Sequence, residues 1–565
     1  MNVFLRTFLA LSLTAAFAFA AEAEPAEGTQ AAGAAAVGDS PETENQAIGA
    51  SVTATPANNI SVDSSVNSQQ AQASEARIGE AATDSAKAED ILTSVEPGSE
   101  TPAPSSPAAG QSIDPGIETY AHERQSYEAL PGIVPFSEII LFNVFIWAWD
   151  RYPLQKNYAK TGPSIWKRNF REGWKWDNNN WGVNFVGHPY QGSYYFVAAR
   201  SAGYSFYTSM LFTAFGSWSW EFFCETEYPA PNDLVTTTVG GSLYGEMLFR
   251  LSQRLFSKPD PTLIDQAGSF VMHPMSFAHW KAFGIRPNSV GYKPISLDVS
   301  VGGGYRFGSD YRYDREASDR YDNELREFYG AAEIDLVYGK PNSRVKKPLD
   351  YFTFDIFGNL GQEEKMFSIV SSGTLKNYVR SNSDNSWMNL ALNLDFDSFY
   401  GDIVQMGNLS LGLALDIKAP LTDRITLRYI TEPGFIFLGS ADFNYDDILS
   451  EFIEDYEPTR EYQYNYGARY LTSVELEFYD KVRLYNRFIG YVMKTMPNTE
   501  PHYGATGYDV VLQNLVNLEY KVTERCSFGI RLDSYVKIAA YTGEYFEPMS
   551  RTNNSFGVYN KINVF

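Results

Sequence analysis

Residues 462–478 read YQYNYGARYLTSVELEF. Tyr462, Tyr464, Tyr466, Ala468, Tyr470, Thr472, Val474, Leu476 and Phe478 alternate with Gln463, Asn465, Gly467, Arg469, Ser473, Glu475 and Glu477, and Leu471 alone breaks the order. Successive side chains of a strand point to opposite faces. The segment therefore has one greasy face and one wet, charged face, and it runs longer than the usual strand of a soluble protein. The same texture recurs on both sides of it. Leu409, Leu411, Leu413, Leu415 and Ile417 alternate with Ser410, Gly412 and Asp416. Phe528, Ile530, Leu532, Val536 and Ile538 alternate with Arg531, Asp533 and Lys537. Walking from Ile295 to the last residue gives about 12 such strands, an even number inside the range of bacterial outer-membrane barrels.

The expectation is a mainly β chain: a transmembrane, antiparallel, up-and-down β-barrel over residues 286–565. Composition agrees. Aromatic residues make up 15% of the chain, yet mean hydropathy is only -0.29. In a barrel only alternate residues meet lipid, and aromatic girdles mark the interfaces, so the two values belong together. A net charge of -23 argues against nucleic acid as a partner. Two cysteines, Cys224 and Cys526, do not make a disulfide framework and read as buried free thiols.

Upstream, Met1–Ala21 has one basic residue, Arg6, an apolar run and small residues at Ala18, Ala20 and Ala21, as a secretory signal peptide has. Residues 22–115 are rich in Ala, Ser, Thr, Pro, Glu and Gly, a composition unable to bury enough apolar surface to offset ordering entropy, and they read as a disordered periplasmic tail. Connections between strands alternate between short, as at Ala419–Asp423, and long, as at Ser309–Arg326 and Ala441–Arg460. The second long connection is acidic, with Asp446, Asp447, Glu451, Glu454, Asp455 and Glu457; it reads as a solvated loop, because calcium loops need spaced ligands and a Gly turn. The closing Phe565 resembles the terminal aromatic that barrels present to their assembly machinery, although it is out of phase with the apolar face of the last strand.

Residues 120–285 differ. Their texture is helical, and they carry the dense motifs: Trp174, Trp176, Asp177 and Asn178 to Trp181; then GHPYQGS at 187–193; then Trp220-Glu221 through Glu227; then Asn232-Asp233-Leu234. The pattern WxWDNNxxGxNxxGHPYxGSxYFxAARSxGxSFxxS, followed by GSxxWEFFxETExPxxNDLxTTxxGGxxxGExxxRLS, resembles the DUF3943 family of Gram-negative bacteria. It runs from Trp174 to Ser252, departing where Asn180-Trp181 precede Gly182. The resemblance implies an envelope setting and supplies no activity.

Between Ser201 and Trp220 there is no charge over nearly a bilayer's length, so a spanning helix is one reading. Ser205, Ser209, Thr213, Ser217 and Gly216 favour close helix packing, and the reading preferred is a helical plug or periplasmic cap; an inner-membrane bundle is the other. Glu221 and Glu225 at i,i+4 could form with His188 a metal or acid–base constellation, and with Ser193 they are the candidate catalytic set, since a buried carboxylate can act as a base and His titrates near neutrality. Trp176, Asp177, Asn184, Asp233, Glu246 and Arg250 are candidates for ligand binding. Asn232 or Asp233 is the expected N-cap after Pro231, and Glu246 and Arg250 are expected to pair at i,i+4. A polar network fixing helix packing would need the same residues. No G-x-S-x-G elbow, phosphate loop or zinc spacing occurs, so no metal and no cofactor is called for. The reading is thus an outer-membrane binding or transport barrel with a helical plug, against a lipid-processing enzyme or a structural surface protein. Its expected partners are outer-membrane lipids, lipopolysaccharide and the barrel-assembly machinery.

Overall fold

A computed structural model describes residues 129–256, 261–283, 295–313, 320–401, 404–442, 460, 462–499, 506–542 and 548–564. The signal peptide, the tail, the acidic loop of Asp446–Glu457 and Phe565 lie outside the described residues.

Twelve strands follow the helices: β1 (Ile295–Tyr313), β2 (Arg320–Tyr338), β3 (Phe352–Leu360), β4 (Lys365–Ser383), β5 (Ser386–Gly401), β6 (Met406–Thr422), β7 (Ile425–Asp442), β8 (Tyr462–Phe478), β9 (Val482–Thr495), β10 (Thr506–Lys521), β11 (Cys526–Thr542) and β12 (Met549–Asn563). Each pairs antiparallel with the next, and β1 closes on β12. Closure leaves no unpaired edge, which a sheet in lipid requires. The sequence expectation of a twelve-strand up-and-down barrel is met. It erred at the first long connection: the ladder continues through Asp310↔Asn323 and Arg312↔Tyr321, so most of that charged stretch is strand rather than loop. Charge marks where a strand leaves lipid, not where it ends.

The barrel has a short-turn rim, where β1 starts and β12 finishes, and an opposite rim where β7 and β8 are joined by the longest connection. Which face looks inward is fixed by contacts between distant strands. Arg487 of β9 reaches Asp355 of β3 at 2.7 Å, and these strands stand on opposite sides of the ring. Arg531 of β11 reaches Glu333 of β2 at 2.8 Å, and Tyr491 of β9 donates to Asp397 of β5 at 2.8 Å. Such bonds can only cross the lumen. The wet face is therefore inside, and the lumen is filled by its own side chains.

The outward face divides into two sectors. Phe528 and Phe556, on β11 and β12, are 45% and 51% exposed. Phe396 and Leu409, on β5 and β6, are 0% exposed, although they share the outward phase of Leu392 and Leu411. What covers them is the helical segment. It comprises α1 (Ile133–Arg151), α2 (Pro163–Glu172), a π-helical turn (Val183–Gly187), α3 (His188–Ser201), α4 (Phe206–Phe223), α5 (Pro231–Val235), a second π-helical turn (Thr236–Gly240), α6 (Gly241–Phe256), α7 (Leu263–Met272) and α8 (Pro274–Phe283).

The expected plug or cap is thus corrected: the bundle lies against the outer wall of the barrel. Phe185 seats on Gly407 of β6, and Leu243 on Gly373 of β4. The Trp181 indole donates to Ser440 of β7 at 2.9 Å. Lipid provides no hydrophobic drive for this docking, so close packing on wall glycines and polar bridges must hold it. The sequence pattern could not show this, because an outward residue covered by a helix reads the same as one covered by lipid.

Helices α1 and α4 run from the short-turn rim to the opposite rim, and α3 and α6 return. Leu130, just before α1, is bonded to Ala202 at the end of α3. Arg250 near the end of α6 pairs with Asp350 in the β2–β3 connection. The 19 residues of α1 span about 28 Å, close to the height of a barrel's apolar belt, about 25 Å. This helix is long and apolar enough to cross a membrane. Leu141 of α1 and Leu211 of α4 face outward, Leu211 being 71% exposed. Central α3 is buried nearly all round, as a helix at the middle of a bundle must be. A Cβ on Gly192 would overlap the Thr237 carbonyl, and one on Gly241 would stand 2.6 Å from the Gly192 backbone; these two glycines let α3 and α6 touch.

Cys224 is buried, as expected, but Cys526 is exposed. It opens β11 beside a turn, on the outward phase of Phe528.

Candidate functional site

Two π-helical turns shape one end of the bundle. In the first, the His188 amide donates to the Val183 carbonyl, which sets His188 at the head of α3. In the second, the Gly241 amide bonds back to Thr236, and Thr237 is turned toward the imidazole. Single π turns within helices are frequent at functional sites.

His188 Nε2 lies 3.5 Å from Asp233 Oδ1, and Nδ1 lies 3.2 Å from Thr237 Oγ1. Glu221, in the last turn of α4, brings a carboxylate oxygen to within 4.8 Å of both other ligand-type atoms. Its Oε2 accepts the Ala230 amide at 3.0 Å. Asp177 Oδ1 accepts from Asn184 Nδ2 and Asn232 Nδ2, both at 2.9 Å, and from the Tyr464 hydroxyl at 2.5 Å. Asn232 Nδ2 also donates to Asp233 Oδ1 at 2.8 Å. The Arg460 guanidinium binds the Asp177 carbonyl, not its carboxylate, and stacks on Tyr464 at 4.6 Å. Among the described residues no Lys or Arg pairs with the carboxylates of Asp177, Glu221 or Asp233. Three buried oxygens have no hydrogen-bond partner: Glu221 Oε1, Asp177 Oδ2 and Asn184 Oδ1.

These residues lie within a segment that matches a known family. Residues 173–275 match the family described as "Domain of unknown function (DUF3943)". No curated protein matches the chain. Among solved structures it is similar to the KdgM porin, with 12% identity over 46% of this chain and 97% of that one, at a TM-score of 0.18. The outer membrane protease OmpT from Escherichia coli is 9% identical over 49% and 99%, at 0.21. The Pseudomonas putida toluene transporter TodX is 8% identical over 50% and 93%, at 0.21. Scores this low carry no argument about activity. The closed ladder and the apolar outer face themselves make the chain an outer-membrane β-barrel.

Within the matched segment, His188, Glu221, Asp233, Asp177 and Asn184 converge. The remaining candidates do not. Ser193 donates to the Tyr190 carbonyl at 2.6 Å, and the hydroxyl that meets His188 belongs to Thr237. Glu225 lies beyond α4, which ends at Phe223 with Cys224 as its C-cap. It accepts from the Trp220 indole, and in this loop burial pushes its carboxyl up to about 8, with Glu227 adding to the shift. Trp176 packs on Tyr464 with ring centroids 4.9 Å apart. Glu246 bonds Arg200 at 2.7 Å and Arg250 at 2.8 Å. Arg250 goes on to Asp350 at 2.9 Å. This is a separate, charge-balanced network toward the short-turn rim. The expected N-cap is also corrected: Ala230 caps α5, Pro231 takes N1, and Asn232 and Asp233 turn inward to the cluster.

Sequence reasoning missed Thr237, Asn232, Tyr462 and Tyr464 as site members. The two tyrosines stand in the strand that betrayed the barrel. Their rings follow its outward phase, while their hydroxyls bond Asn184 at 2.6 and 2.8 Å. Two hydroxyls at i,i+2 on a face meant for lipid were the available signal.

Proposed function

We propose that this protein is an outer-membrane binding module whose site is the His188–Glu221–Asp233–Asp177 cluster. On this reading the barrel is the wall that holds the DUF3943 bundle at membrane depth. The observation that carries it is three buried carboxyl groups that, among the described residues, no Lys or Arg pairs with. Ionisable groups at bilayer depth are costly and mark functional sites by default, and three buried carboxylates without a cation are not explained by packing alone. Diffusion through the lumen is disfavoured by Arg487–Asp355 and Arg531–Glu333, which bridge it. The cluster sits toward the rim of the long β7–β8 connection, the side that faces outward in outer-membrane barrels.

An envelope lipid-processing enzyme is the second reading. The 3.5 Å His188–Asp233 contact favours it, since a carboxylate-oriented imidazole is an acid–base device. Complementation of a deletion strain tests both. His188→Ala and Asp233→Asn are expected to assemble, to fail in restoring the envelope phenotype, and to leave the lipid profile unchanged. A lost lipid species would move the assignment to the enzyme. Full complementation by both variants would reduce the cluster to a packing network.

A further inference from the structure

We infer that the cluster is a divalent transition-metal site, with His188 Nε2, Asp233 Oδ1 and a Glu221 carboxylate oxygen as ligands. The inference rests on the binding reading above and names what is bound.

Geometry comes first. The three ligand-type atoms lie within 4.8 Å of one another, and Nε2 stands 3.5 Å from Oδ1. Two ligands of a tetrahedral ion at about 2.0–2.1 Å are separated by roughly 3.4 Å. The gap is also too long for a good direct hydrogen bond, so the pair is placed as ligands are rather than as donor and acceptor.

Orientation follows. A ligating imidazole normally gives its other N–H to an acceptor, which fixes the tautomer and aims the lone pair. Thr237 Oγ1 stands 3.2 Å from Nδ1 in that role. Asn232 holds Asp233, and the Ala230 amide holds Glu221. Each ligand thus has a supporting partner of its own.

The unused valences are the independent observation. Glu221 is 1% exposed and Asp177 8% exposed, and each keeps one carboxylate oxygen without a partner. Native proteins leave few buried acceptors unmet, and each case calls for a reason such as an ion. A second acidic group, Glu333, Asp335 and Asp355, shows the contrast. It sits in the lumen, where Arg487 pairs with Asp355 and Arg531 with Glu333, although Asp355 Oδ1 is likewise without a partner.

The donor set selects the metal class. Calcium and magnesium prefer all-oxygen shells. An imidazole with carboxylates suits zinc and its neighbours in the transition series. Three protein ligands leave a tetrahedral ion one open position.

The test uses the full chain, folded in detergent, stripped with chelator and reloaded with Zn²⁺ or Co²⁺. We expect about one ion per folded barrel and cobalt d–d absorption of low-symmetry form. Asp233→Asn and Glu221→Gln should each weaken binding about tenfold or more. Wild-type protein with an intact, heat-modifiable barrel that binds neither ion would overturn the inference without any variant. So would unchanged affinity in both variants. If no ion binds yet His188→Ala still fails to complement, the metal falls and the binding site stands. If the ion binds but the variants complement, the metal stands and the functional reading falls.

Discussion

The lumen and the bundle face the same problem and solve it in opposite ways. Inside the barrel, buried carboxylates are met by cations: Asp397 and Glu432 by Arg469 at 2.6 and 2.5 Å, and Glu333 by Arg531 at 2.8 Å. In the bundle, Asp177, Glu221 and Asp233 are met by amides, hydroxyls and one imidazole. The lumen sets guanidinium and ammonium groups among its carboxylates. The bundle leaves three carboxyl groups in one place without a Lys or Arg partner among the described residues. The difference locates the unfinished chemistry outside the barrel wall.

The largest expected effect separates the two regions by sign. Arg469→Ala strands Asp397, Glu432 and Asp395 without their cation, and breaking such a buried pair costs about 3–5 kcal/mol. Urea unfolding of the barrel in vesicles should show that loss. Asp233→Asn, measured in chelator-treated protein, removes a buried carboxyl that no Lys or Arg pairs with, so stability should hold or rise by about 1 kcal/mol. Equal losses in both variants would erase the distinction between lumen and bundle.

A smaller effect concerns how the bundle is held together. Gly192→Ala places a methyl against the Thr237 carbonyl, at the crossing of α3 and α6. Overpacking of this kind costs about 1–3 kcal/mol. Because Thr237 also supports His188, the variant should loosen the site while the barrel keeps its heat-modifiable migration on gels. Unchanged resistance of the bundle to protease would show that the crossing has room for the added methyl.

The smallest effect lies on the barrel strands away from both regions. Arg326 and Glu324 pair at 2.7 Å with both side chains well exposed. Exposed pairs contribute little, so Glu324→Ala should move the urea midpoint by less than about 0.5 kcal/mol. A larger shift would mean that charge on β2 is not solvated there.

The barrel was legible because its signal is local and repeated. Residues 462–478 alternate whatever lies around them, and twelve such segments imply closure. Most of the cluster was legible too, since His188, Glu221, Asp233, Asp177 and Asn184 all stand in the motif that marks the family. What was not legible depends on events that alternation does not encode. Two π turns change the facing of His188 and Thr237 by one residue. The end of α4 at Phe223 puts Glu225 in the loop beyond it. Placement was the deepest miss. Phe396, Leu409 and Tyr464 carry the pattern of lipid-facing residues, and helices satisfy that pattern as well as lipid does. Ser209, Thr213 and Ser217 on α4 did signal close packing, but not against which surface.

The central claim is that the bundle docks on the outer wall. Disulfide trapping between Phe185→Cys and Gly407→Cys, with Cys224 and Cys526 replaced by Ser, tests it most directly. A Cβ at Gly407 would lie 3.0 Å from that of Phe185, near the span a disulfide bridges. The account predicts rapid cross-linking of this pair in outer membranes, and none between Phe185→Cys and Ser410→Cys, whose side chain points into the lumen. Cross-linking to Ser410→Cys with none to Gly407→Cys would place the helices inside the barrel and contradict it.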